Sequence, residues 1–447
     1  MQGQLLGRFE KSDLKMKILI VSNSPWRNDN SFGNSFSNLF DGIHEQIEIA
    51  NIYLKHGTPD CTIVKTFFQI SERSLIKNLF HPKYPTGERR FSEISTANID
   101  TKDARIFERV RPFKGPLIIW ARTAIWKIGR WKSKELEDFL DEFAPDLLFI
   151  PIYYSHYIHD INFWIKNRYH IPAVGYISDD NYSLRKISFN PLFWLDRLIM
   201  RSRLRKVFTA CDIVYTISDI QKEYLQQRFG DKFKVLTKYA EFDEASKPAY
   251  VRPHSPLRML YTGNLGSGRY SSLVLIANAL KQINAHEQLV VFDIYSSTEL
   301  SARQQSRLNT AETTLHGAVS FEKVLELQHQ ADILVHVEGL SLKERLDVAH
   351  SFSTKIVDYL QQNKPIFVVG KSDCASIKYF IDNDAGIVAQ TYDEIVDKLT
   401  TVAASPETLK DYAAKAWECG VKKHRKSVHQ QALKEDLIHV AQRTNKT

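Results

Sequence analysis

Cysteine is scarce in this chain of 447 residues. Four are present, Cys61, Cys211, Cys374 and Cys419, and no two have zinc-ligand or redox-motif spacing. That excludes a disulfide framework and makes reduced thiols in the cytoplasm the expectation. Long apolar runs are missing too. No stretch approaches the roughly 18 residues a membrane span requires. The opening residues, MQGQLLGRFEKSDLK, lack the apolar centre of a signal peptide. They read as an extension over 1–15, with Met16 as the start of the fold. Low-complexity tracts and short repeats are absent. An excess of acid is also lacking: the formal net charge is +8, which points to an anionic partner such as nucleic acid, phospholipid or a phosphorylated substrate.

What is present is the composition of a soluble globular protein, 43% hydrophobic and 25% charged. The length exceeds the roughly 250–300 residues at which one core stops growing, so two domains are expected. Short apolar runs recur at 17–23, 146–152, 172–177 and 212–217, and again at 258–263, 288–295, 332–337 and 365–370. Helical spacing separates several of them, as in Leu273, Ile276, Ala277, Leu280 and Ile283. Alternation of this kind predicts parallel sheets covered on both faces: an α/β protein of two Rossmann-like domains. The three prolines of KPAYVRPHSP predict a linker over 247–256. The domains then run 16–246 and 257–425, with a helical tail over 426–447. Ligands of such sheets bind beyond the carboxyl ends of strands, so two facing sheets place a site in the cleft between them.

Two strand–helix junctions carry the candidate chemistry. YTGNLGSGRY follows a predicted strand. Gly263, Gly266 and Gly268 allow a tight turn through Asn264 with close backbone approach to an anion, and Arg269 sits within reach of a diphosphate. In SFSTKIVDYLQQNKPIFVVG, Ser351, Ser353 and Thr354 are helix-capping types, and Asn363 and Pro365 stop the helix. Lys355 stands at the end where the helix dipole disfavours a cation, which suits a phosphate in front of it. A solvated lysine on a capped surface helix is the plain alternative. Glu338 ends a predicted strand at a carboxyl edge, as a ligand contact or a loop cap.

Together these junctions resemble the donor-binding domain of GT-B fold glycosyltransferases, especially the retaining family 4 type of bacterial surface-polysaccharide synthesis. STKIVDYLQQNKPIFVV is similar to the family's S-x-x-K-x-x-E-Y-L-A-x-G-K-P, with Asp358 at the second acid's position and Asn363 for the usual glycine. His350 falls where the first acid normally stands. The segment 315–339 also resembles the family, through Gly317, Ala331 and Asp332. The first half matches in outline, around Gly33. Where the family has His-Asp, this chain has Ser178-Asp179-Asp180.

The resemblance implies a glycosyltransferase whose co-substrate is a nucleotide-diphosphate sugar, with no cofactor and no metal. Arg269, Lys355 and Asp179 would be catalytic. Gly263, Asn264, Gly266, Ser353, Thr354, Asp358 and Glu338 would bind the donor, Asp358 through the ribose. The acceptor would be a glycan or a lipid-linked glycan. A catalytically inactive GT-B scaffold or binding subunit is the alternative. Nucleic acid is not an expected partner, because no aromatic–basic platform stands outside 111–140. In that segment Leu117, Trp120, Ala121, Ala124, Ile128 and Trp131 share a helical face beside Lys127 and Arg130. An interfacial helix and a buried amphipathic helix both fit this composition. The first places the protein at the inner face of the plasma membrane, on anionic lipid, docked through Trp120, Trp131, Lys127 and Arg130. A basic stretch at 196–208 adds to the same domain. His156, His159 and Asp160 lack a third metal partner, and Asp382-Asn383-Asp384 lacks the context of a metal-binding motif.

Overall fold

The computed structural model describes residues 15–92 and 115–444. The extension, apart from Lys15, and residues 111–114 of the basic–aromatic segment lie outside the described residues.

All eight apolar runs are strands, each within two residues of its expected limits. In the first unit these are β1 (Met16–Ser22), β5 (Leu147–Pro151), β6 (Ala173–Ile177) and β7 (Ile213–Thr216). They are joined by β2 (Ile47–Tyr53), β3 (Thr66–Ile70), β4 (Gly87–Arg90) and β8 (Phe233–Val235). The sheet order is β4-β3-β2-β1-β5-β6-β7-β8. Every neighbouring pair is parallel except β3 with β4. The second unit holds β9 (Leu257–Thr262), β10 (Val290–Tyr295), β11 (Thr313–His316), β12 (Ile333–Val337), β13 (Ile366–Val369) and β14 (Ile387–Ala389). Its order is β11-β10-β9-β12-β13-β14, parallel throughout.

Both sheets are covered on two faces, and the pleat shows why the runs are continuously apolar. In β1, Leu19 and Val21 enter one core cluster while Ile18 and Ile20 enter the other. In the second sheet Met259 and Tyr261 go to one side and Leu260 to the opposite one. Each strand order reverses once near its middle, between β1 and β5 and between β9 and β12. Those are the switch points at which such sheets open a crevice.

Residues 247–256 form neither helix nor strand. Residues 426–444 are a helix that returns to the first unit. Leu433, Leu437, Val440 and Ala441 pack with Phe40, Tyr215 and Tyr239 there, and the Tyr215 hydroxyl donates to Asp436 at 2.7 Å.

Candidate functional site

The loops after β1, β5 and β6 of the first unit and after β9 and β12 of the second converge on a cleft of about 720 Å³. A smaller cavity of about 330 Å³ opens in the second unit. Lys355 lines both.

The second-unit wall starts at the end of β9. Gly263 has φ 156°, and a Cβ there would sit 2.2 Å from Lys355 Nζ. Only glycine leaves that ammonium its seat, from which it donates to the Thr262 carbonyl at 3.1 Å. The turn is tied by the Gly266 amide, which donates to Asn264 Oδ1 at 2.5 Å. It ends at Gly268 (φ 82°), ahead of the helix Arg269–Ile283. The Glu344 carboxyl group crowds Gly268, 2.3 Å from the place a Cβ would take. Positive charge on this wall therefore comes from side chains rather than from that helix end. Arg269 lies 3.1 Å from Glu338, which is 2% exposed. Burial raises the Glu338 carboxyl above its usual range, against the pull of Arg269 and Lys355. Burial, with Arg269 nearby, lowers Lys355. Behind them, burial pushes His336 down to about 3, so it is neutral.

Two expectations change here and a third holds. Ser351, Ser353 and Thr354 do not cap the next helix. It starts at Lys355, runs seven residues to Gln361, and its N-cap Thr354 has helical backbone and no side-chain cap bond. Ser351, Ser353 and Thr354 line the cleft instead. Asp358 is not free: Lys238 of the first unit donates to it. It still lines the smaller cavity, with its carboxyl raised chiefly by burial. Asn363 does take the left-handed conformation (φ 51°) and ties the helix end to the linker by donating to the Pro248 carbonyl at 2.8 Å.

The smaller cavity is lined by Gly263, Asn264, Lys355 and Asp358 on one side. Facing them are Phe321, Val324, Leu325 and Gln328, one face of the helix Phe321–Gln330. Tyr295, stacked on His316 at 4.3 Å, completes it. Spacing alone reads that helical face as core, so sequence reasoning missed these residues. The first-unit wall of the cleft was missed too: Asn23, Ser24, Asn30, Ser31, Phe32 and Tyr153 are neutral and dispersed. Asp179 opens onto the cleft, with its carboxyl raised chiefly by burial. Asp180 turns away and is buried.

The tryptophan surface is overturned. Trp131 is 8% exposed within the first core, and Trp120 Nε1 donates to Asp196 at 2.7 Å. The outward residues of that helix are Leu117, Ala121, Ala124, Lys127 and Ile128. On the neighbouring helix Pro191–Ala210, Leu192, Leu195, Leu198 and Ile199 also face out, after a fully exposed Phe189, with Arg205 and Lys206 beyond them. His156 is buried against Asp196 at 2.9 Å, and Asp160 pairs with Arg203. Asp382 and Asp384 pair with Lys378 and Lys415. Among the described residues no group of three or more His, Cys, Asp or Glu is placed to hold a metal ion, and no helix is long and apolar enough to cross a membrane.

Two parallel sheets facing across a cleft, each with its switch point opening into it, decide the architecture. The fold is GT-B. Solved glycosyltransferases share it. TarM superposes with a TM-score of 0.60 at 10% identity, over 96% of this chain and 99% of its own. Anabaena HepE in complex with UDP gives 0.59 at 11%, over 95% and 100%. A chain of the GtfA/B complex gives 0.50 at 12%, over 70% of this chain; this chain spans 61% of it, less than two thirds. At such identities the GT-B likeness concerns the fold. No protein-family model and no curated protein matches the chain by sequence.

Proposed function

We propose that the protein is a glycosyltransferase. It takes a sugar from a nucleoside-diphosphate donor held by the second unit and passes it to an acceptor held by the first. One observation carries the reading: Lys355 lines both cavities, so an ordered cation stands at their junction. A nucleotide sugar has the matching shape, a flat base and ribose on one side of a diphosphate and a sugar on the other. The apolar helical face with Tyr295 suits the base, and Asp358 with Asn264 stands beside the ribose. Lys355 and Arg269 face the diphosphate. As the sugar–phosphate bond breaks, negative charge grows on the leaving phosphate. Cations already desolvated and in place stabilise it without reorganisation, usually the largest single catalytic contribution. Asp179 is the first-unit carboxylate that lines the cleft, and the sugar is assigned to its side. Solved HepE complexes hold UDP and UDP-glucose, which makes uridine the first base to test. Retention of anomeric configuration rests on the family resemblance. Transfer is expected to persist in EDTA.

A glycan or lipid-linked glycan acceptor at an anionic, cytoplasm-facing membrane completes the proposal. Its support is the pair of neighbouring helices whose outward faces carry Leu117, Ile128, Leu192, Leu195 and Leu198. Exposed apolar surface of this kind beside Lys127, Arg205 and Lys206 fits a bilayer interface.

Calorimetric titration and thermal unfolding with UDP, ADP, GDP and CDP test the donor site. A ligand at 100 times its Kd should stabilise the fold by about 2.7 kcal/mol. Lys355→Ala should weaken the preferred diphosphate by roughly ten- to a hundredfold, the worth of a charge-assisted hydrogen bond. Failure of all four nucleotides to bind the wild-type protein ends the reading.

A further inference from the structure

We propose that Asp180 and His350 form a clasp between the two units that sets the position of the segment Ser351–Lys355. Asp180 follows β6 in the first unit, and His350 stands between cleft-lining Val348 and Ser351 of the second. They are 7% and 1% exposed, and His350 Nδ1 lies 3.4 Å from Asp180 Oδ2. The Asp180 carboxylate is fixed from its own side by the Ser183 amide at 2.9 Å and the Ser183 hydroxyl. Arg197 stands 3.5 Å away. The His350 ring packs on Tyr224 of the first unit, with centroids 4.8 Å apart.

The backbone ahead of the cleft is gripped from the same side. Lys186 Nζ donates to the carbonyls of Leu346 at 3.3 Å and Asp347 at 2.9 Å. Ser218 Oγ donates to the His350 carbonyl at 2.8 Å. Three carbonyls of a second-unit segment are thus held by donors of the first unit, and the side-chain pair closes the same grip. Lys355 follows five residues later. Asp180 and His350 are therefore positioning residues, acting on substrate only through the segment they hold. The effect on nucleotide affinity rests on the proposed donor site; the clasp itself does not.

Hydrogen–deuterium exchange of the full chain reads the clasp directly. Asp180→Asn and His350→Ala should each speed exchange across 346–355 at least tenfold while β9 and β13 stay protected. UDP binding should weaken three- to tenfold. The reciprocal exchange, Asp180→His with His350→Asp, should restore slow exchange that neither half restores alone, a result mere loss of packing would not give. Lys186→Met, which keeps both Asp180 and His350 but removes the two carbonyl contacts and an ammonium 3.9 Å from Asp180, should speed exchange at 346–348 and serves if the doubly substituted chain does not fold. Unchanged exchange at 346–355 in both single variants, or in Lys186→Met where it stands in, overturns the clasp; so does a folded reciprocal variant no slower in exchange than the faster single. Failure of wild-type protein to bind UDP overturns the donor site and leaves the exchange result standing.

Discussion

The two walls of the cleft are built from different chemistry. The second unit presents charge: Arg269 against Glu338, and Lys355 over Gly263. The first presents mostly neutral amides, hydroxyls and aromatic rings, with one acid, Asp179, and one lysine, Lys55, among them. A leaving diphosphate needs fixed cations, whereas an incoming hydroxyl needs orientation and a place to lie. Charges beside glycines at strand ends are conspicuous in sequence. Serine and asparagine spread over several loops are not.

The contrast extends to surfaces, where the largest effect is expected. Trp131→Ala should cost about 3–5 kcal/mol of stability, measured by denaturant unfolding, because it opens a core cavity. Leu195→Glu with Leu198→Glu should change stability by about 0.5 kcal/mol or less per site, yet abolish pelleting with anionic vesicles. Wild-type pelleting by that folded variant would remove the membrane from the account.

On the charged wall, Gly263→Ala should displace Lys355 and weaken UDP roughly ten- to a hundredfold, the worth of one charge-assisted hydrogen bond. Because both changes act through the same ammonium, Gly263→Ala combined with Lys355→Ala should be little worse than Lys355→Ala. Additive losses would show that the glycine serves something else.

On the neutral wall, Asp179→Asn should leave the Kd for UDP within about twofold if, as proposed, the residue serves the acceptor. Donor turnover should fall by about a hundredfold or more, the low end of general acid–base contributions. A large loss of UDP affinity with turnover intact would move Asp179 to the donor.

The smallest effect is acid sensitivity, which the first unit and the junction share. Burial holds His159 of the first unit at about 4 and His424, at the junction of the two units, also at about 4. Their folded values lie below the ordinary 6.5, so the unfolded chain binds more protons between pH 6.5 and 4. Stability must fall as pH falls through that window. His159→Gln and His424→Gln should each flatten the fall in chemical-denaturation midpoints. Midpoints that hold steady from pH 6.5 to 4 would contradict this.

The strands at the centre of each sheet were legible because both faces are buried, leaving runs such as IFVV without polar interruption. β2 and β3, whose runs are broken by Glu48, Asn51 and Gln69, were not, and nor were edge strands. β4 is GERR, antiparallel at the rim, and β14 has three residues. The glycine turn, Arg269 and Lys355 were legible as local patterns. Lys238 beside Asp358 was not, since 120 residues separate them. The helix over 116–128 is apolar on more than one face, so its sequence does not decide which tryptophans turn inward. His350 and Asp180 read separately as two departures from a family pattern. Only the fold shows that they meet.

The returning helix at 426–444 has a consequence for how the chain is made. Leu433, Leu437 and Val440 belong to the core built around β1, but a ribosome reaches them only after the whole second sheet. The first sheet must therefore wait, one side covered only in part, while its successor matures. Domains usually complete in the order they are synthesised; here the later one can finish first. A cut placed at 246 to express the first sheet alone would yield a chain missing part of its own interior. Supplying 426–444 as a separate peptide should rescue its solubility.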